Sequence, residues 1–146
     1  MEKNINAARR LLEKYKSITL EMITETWERI KDPDPEANPF FSNSGSAVLK
    51  ELTGFGSLIK CLLCTEARQL AQQTEYARNN PAYCFHCIYV NNVQKLDSYL
   101  CVEDTYRNLM HAETPQEIYS ALQLRIEFLQ KAIQDYEKDQ AEENNN

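Results

Sequence analysis

The stretch CLLCTEARQLAQQTEYARNNPAYCFHC, residues 61–87, holds two Cys-x-x-Cys pairs, Cys61 with Cys64 and Cys84 with Cys87, nineteen residues apart. Two pairs at such a separation predict a four-thiolate zinc site. Zinc takes four soft ligands in a tetrahedron, and a two-residue spacer lets one tight turn aim two sulfurs at one ion. One structural zinc at Cys61, Cys64, Cys84 and Cys87 is therefore the expected cofactor. Its shell would be closed, with no open position for a reacting water.

Other readings of these residues stay open. Cys61 and Cys64 are three apart among Leu58, Ile59, Leu62 and Leu63, so they could be apolar residues on the core face of a helix. That reading leaves the second pair unexplained. His86 could replace one cysteine as a ligand, or point away from the ion as an outer contact. An iron–sulfur cluster also uses four cysteines, although knuckle-like spacing favours zinc. A Cys-x-x-Cys at a helix N-terminus can lower a thiol pKa and run disulfide exchange. A thioredoxin-type fold would need a βαβ pattern, which the sequence lacks. The helical alkylhydroperoxidase pattern needs a glutamate and a histidine in neighbouring turns, where this chain has Leu58 and Ala67.

Working outward, Gly54 and Gly56 break regular structure just before the first pair and permit positive φ. A helix is expected over about residues 65–78, stopped by Asn79, Asn80 and Pro81. Residues 53–90 thus form the expected metal-held lobe. Ahead of it lie a short helical or strand segment at 47–52 and a connecting loop at 36–46. Phe40 and Phe41 give that loop apolar area to dock. Its Ser42–Ser46 run could cradle a phosphate, but no Gly-Lys-Ser/Thr follows.

The flanks are long and helix-favouring. Ile5, Ala8, Leu12, Tyr15, Ile18, Met22, Ile23, Thr26 and Ile30 recur at three-and-four spacing, predicting one helix over residues 6–31 capped by Asn4 or Asn6. Trp27 sits beside that stripe as a core anchor. Asp32 and Pro33 end the helix. A helical pattern returns at about 92–112, where Cys101 reads as a small buried hydrophobe and His111, near a helix end, as a residue that sits favourably on the dipole and is not a base. Thr114, Pro115, Gln116 and Glu117 spell a capping box with proline at the first helical position. The last helix runs over 115–138 through Ile118, Leu122, Ile126, Leu129, Ile133 and Tyr136, and 139–146 is expected to fray. The predicted fold is an all-α single domain, 1–146. In it the two long terminal helices pack antiparallel, as a helical bundle with the zinc-knuckle lobe inserted between them.

Composition narrows the function. No run of eighteen apolar residues exists, so no membrane span is expected. The opening MEKNINAARR has no apolar core of a secretory signal, so the cytoplasm is the expected location. Thiols stay reduced there, which favours metal over disulfides. Residues 1–101 carry twelve Lys/Arg and twelve Asp/Glu, whereas 102–146 carry four against ten, so all of the net charge of −6 lies in the last third. With no basic stripe to track phosphates, direct nucleic-acid binding is disfavoured. An acidic face suits either solvent or a basic protein partner. Five of the eight tyrosines fall within residues 76–106, as half-buried core or as a contact surface. P-loop, Gly-x-Ser-x-Gly and His-Glu-x-x-His signatures are missing.

The Gly54-Phe55-Gly56 approach, the two cysteine pairs and the Thr114–Glu117 cap together resemble small zinc-knuckle proteins of bacteriophages and prophages, over about residues 53–130. The resemblance implies a compact accessory protein that binds and inhibits a host defence or replication factor. It implies no catalytic residues. The expected function is a non-enzymatic, zinc-stabilised protein-binding module. A thiol-disulfide oxidoreductase and a nucleic-acid-binding zinc module are the alternatives.

Overall fold

The computed structural model describes residues 3–31, 44–54, 62–72, 87–89 and 104–145. Among these residues the fold is all-α, with six helices and no strand. They are α1 (Ile5–Ser17), α2 (Leu20–Ile30), α3 (Gly45–Thr53), α4 (Leu62–Gln72), α5 (Asp104–His111) and α6 (Pro115–Asn144).

The single helix expected over 6–31 is instead two. Ile18 leaves α1 in an extended conformation, with its amide on the Tyr15 carbonyl at 3.2 Å. Thr19 then caps α2, its Oγ1 accepting from the Met22 amide at 3.1 Å. A threonine hydroxyl competes for nearby amides and favours cap positions. The apolar rhythm hides the break because Ile18 and Ile23, on either side of Thr19, both enter the core. Ala8, Tyr15, Ile18, Ile23 and Thr26 of the expected stripe are buried, but the face is shifted at Leu12 and Met22. Ala7, Ala8 and Leu11 are buried, Leu12 is half-buried and Met22 is 37% exposed.

α6 is the spine. Its 30 residues make it about 45 Å long at 1.5 Å per residue. Ile118, Leu122, Ile126, Leu129 and Ile133 form one buried row along it, as expected. α1, α2 and α5 all pack on α6, whereas α3 lies on α2 and α5, and α4 on α1. Arg9 of α1 pairs with Glu137 at 2.9 Å, and Trp27 of α2 donates Nε1–H to the Glu113 carbonyl at 3.0 Å. Trp27 is half-buried against the core, the anchor expected of it. The helix continues past the expected end at 138 to Asn144. Ala, Glu and Gln are strong helix formers, which carries the last turns although burial ends at Ile133.

The cap at Thr114 forms as read. Its Oγ1 accepts from the Glu117 amide at 3.2 Å, and Pro115 opens the helix. Glu117 reaches back one residue further than a capping box requires, to the Glu113 amide at 3.2 Å.

α3 resolves the helix-or-strand choice at 47–52. It ends at Gly54, whose φ of 80° is left-handed and whose amide closes on the Lys50 carbonyl at 2.9 Å. This is the glycine C-cap that the positive-φ expectation calls for. At the other end the Gly45 amide donates to the Ala112 carbonyl at 2.8 Å, and a Cβ at Gly45 would meet the Leu109 carbonyl oxygen at 1.7 Å. Ser44 takes the Ala47 amide. Two of the amides that a phosphate would need at this helix start are therefore already bonded within the protein, which disfavours the phosphate reading of Ser42–Ser46, whose Ser42 and Asn43 lie outside the described residues.

Candidate functional site

The four cysteines are unequally placed. Cys61, Cys84 and His86 lie outside the described residues. Cys64 falls within α4, and its side chain lies outside the described residues. Cys87 begins a three-residue turn, Cys87–Tyr89, and is buried at 8% exposure. No group of three or more metal-ligating side chains occurs among the described residues.

The structure does bring the backbones of the two cysteine stretches to one side chain. Asn4, expected as a helix cap, makes no capping bond. It is fully buried, and its Nδ2 donates to the Leu63 carbonyl at 2.7 Å while its Oδ1 accepts from the Ile88 amide at 2.7 Å. Leu63 lies within the first Cys-x-x-Cys stretch, and Ile88 follows the last cysteine of the second. The capping duty passes to α4: Glu66 Oε2 accepts from the Ala7 amide at 2.6 Å. A carboxylate there meets the positive end of the α1 dipole. Deleting a buried hydrogen-bond partner costs about 1–3 kcal/mol for each group left unsatisfied, so Asn4 fixes the relative position of α1, α4 and the turn.

Lys3, next in sequence, is half-buried. Burial holds its pKa below the ordinary lysine value, and the neighbouring Cys87 sulfur pulls it partly back up.

The same turn is gripped from the other side by α6. Tyr89 stacks on Phe128 with ring centroids 5.2 Å apart. Arg125, only 4% exposed, lies 4.5 Å above the Tyr89 ring, 5.3 Å from Phe128 and 5.6 Å from Tyr106. Its Nη1 donates to Thr105 Oγ1 at 3.0 Å. A desolvated guanidinium on an aromatic face contributes about 2 kcal/mol, which offsets part of the cost of burying the charge. Tyr106 thus follows the half-buried reading, and Tyr89 is buried at 6% exposure.

Two of these residues had a trace in the sequence. Arg125 interrupts the apolar row at 118, 122, 126 and 129, the signal of a charge on a core face. Asn4 had only its place before an apolar helix, which points to a cap. Glu66 had none.

An open groove of about 480 Å³ lies between α5 and α6, lined by Arg107, His111, Ala112, Glu117, Ala121 and Leu124. His111 ends α5 and is exposed, at the helix end expected of it. Among the described residues, no helix is long and apolar enough to cross a membrane.

No family model matches the chain, and no curated protein and no solved structure matches it.

Proposed function

We propose that the chain is a non-enzymatic helical module that binds a protein partner, with its cysteine-bearing lobe held by one structural zinc ion at Cys61, Cys64, Cys84 and Cys87. The lobe spans residues 53–90, and the α1–α2 arm runs antiparallel along α6. The observation that carries this reading is the Asn4 junction. One buried carboxamide bonds to both cysteine stretches, Leu63 at 2.7 Å and Ile88 at 2.7 Å. Its own O and N are about 2.3 Å apart, so those two backbones lie within roughly 8 Å of each other. A shell drawing two sulfurs from each stretch at about 2.3 Å from zinc requires such an approach. Cysteines acting only as core residues do not.

Zinc, when bound, supplies on the order of 10 kcal/mol or more of folding energy in small lobes of this kind. Four thiolates around a divalent ion leave a net charge of −2, and Lys3 places a positive group beside Cys87 to oppose it. The partner fits a basic protein surface, because the acidic excess of residues 102–146 falls largely on α6. A phage-type inhibitor of a host defence or replication protein, acting in the cytoplasm, matches the zinc-knuckle resemblance.

Thiol-disulfide exchange is the second reading: α4 takes in Cys64, and a Cys-x-x-Cys on a helix can run such exchange.

One equivalent of zinc by elemental analysis of the purified protein is expected. Cys84→Ser should then lose the metal and the amide-exchange protection of residues 62–72 and 87–89, while α6 keeps most of its helicity by circular dichroism. Thiol titration separates the two readings. Four thiols unmasked only by chelator support zinc, and a reversible disulfide supports exchange chemistry. Metal-free protein with 62–72 and 87–89 still protected would overturn the proposal.

A further inference from the structure

We infer that the groove between α5 and α6 docks a second copy of this chain, in an antiparallel, two-fold pairing of the α6 helices centred on Leu124. Leu124 is 51% exposed and is, with Met22, one of two exposed large hydrophobic side chains among the described residues. A lone exposed leucine is ordinary. This one lines an open groove of about 480 Å³, to which Ala112 and Ala121, both nearly buried, contribute methyl groups.

The row that carries Leu124 decides what fits the groove. Glu117, Ser120, Leu124, Glu127 and Lys131 are all exposed and follow one another at three-and-four spacing, so they share one face of α6. Glu117 lies seven residues before Leu124 and Lys131 seven after it, about 10 Å to either side at 1.5 Å per residue. With a second α6 turned end for end about Leu124, each Glu117 faces Lys131 of the other copy. The same rotation sets Leu124 against Leu124. It also sets Glu127 of the second copy opposite Ala121, on the groove that Arg107 lines. Arg107 reaches Asp104 at 3.9 Å with both side chains exposed, a pair weak enough to exchange partners.

A two-fold interface needs a patch complementary to itself, and this face is one. Its two cations, Arg107 and Lys131, balance its two anions, Glu117 and Glu127, although residues 102–146 as a whole carry four Lys/Arg against ten Asp/Glu. A basic partner would be repelled by Arg107 and Lys131 here, so this face is distinct from the acidic surface that suits a basic protein.

One helix pair buries less than a standard interface, so association is weak, with a dissociation constant on the order of 10–100 μM. Sedimentation equilibrium of the full chain under reducing conditions, over concentrations spanning that range, should show monomer and dimer in exchange. Leu124→Glu keeps a strong helix former at an exposed position and sets two like charges on the two-fold axis. It should weaken association at least about 10-fold with the thermal midpoint unchanged. Lys131→Glu should weaken association about 3- to 10-fold, and adding Glu117→Lys should restore it at the parent's net charge. Lys138→Glu makes the same change of charge at a position whose mirror, residue 110, precedes α6, and it should associate like the parent. A parent that stays monomeric overturns the inference and leaves the groove to a different protein. A dimer indifferent to Leu124→Glu overturns it as well. So does a double variant no tighter than Lys131→Glu, or an equal loss in Lys138→Glu, because either result removes the antiparallel register.

Discussion

The α6 spine and the Asn4 junction hold the molecule together by opposite means. Along α6, five aliphatic side chains in one row are buried against α1, α2 and α5. That energy is distributed and non-directional, roughly proportional to area. At the junction, one carboxamide and one carboxylate make three directional bonds of 2.6–2.7 Å. Such bonds contribute little net energy each, but they tolerate no misplacement. The difference teaches that stability and positioning are assigned to different residues here. The spine resists unfolding, and the junction decides where the cysteine stretches sit.

Three substitutions would sharpen or break this contrast. Leu122→Ala removes a fully buried side chain at the middle of the spine. It should cost about 2–5 kcal/mol in urea unfolding, with the amide-exchange protection of residues 62–72 and 87–89 relative to α6 unchanged in the folded protein. Selective loss of that protection would mean that spine and junction are one cooperative unit. Gly45→Ala attacks a point contact that involves no cysteine stretch. The new Cβ would sit 1.7 Å from the Leu109 carbonyl oxygen, a backbone atom that cannot swing aside. Destabilisation of about 1–3 kcal/mol is expected from such overpacking, seen as a lower thermal midpoint. A neutral result would show that α3 can slide on α5. Thr114→Ala deletes the cap of α6 and should cost about 1 kcal/mol. The change should be largest in amide exchange at Glu117 and absent at Ile133.

These elements also differ in how plainly the sequence announced them. The α6 row and its cap were legible because both signals are local. Apolar residues at three-and-four spacing and a threonine before Pro115 need no knowledge of the rest of the chain. The break at Ile18 and Thr19 was not legible. The residue three after Thr19 is Met22, not Glu or Gln, so no capping box marks the new start. Asn4 was read as a cap because that is what its neighbours support. Its actual partners are 59 and 84 residues away, and only the fold could supply them. Arg125 was visible as an interruption, but the aromatic rings that make it tolerable come from residues 89, 106 and 128. Of the two cysteine stretches, the spacing was in the sequence and the side chain that bonds to both backbones was not.

The pairing of Arg9 with Glu137 spans 128 residues, and it has a consequence for synthesis. α1 leaves the ribosome well before α6, the helix that covers it. At roughly 5–20 residues per second, α1 would wait on the order of 6–25 seconds with Ala8, Leu11 and Tyr15 uncovered. α5 and α6, joined by a short turn, can pair almost as soon as both emerge, since closing a short loop takes far less than a second. The N-terminal arm therefore closes last on a spine that has already found its neighbour. Limited proteolysis of stalled nascent chains would test this order. Cleavage in α1 should persist until residues beyond Ile133 are exposed, and earlier protection would show that α1 docks first on α4.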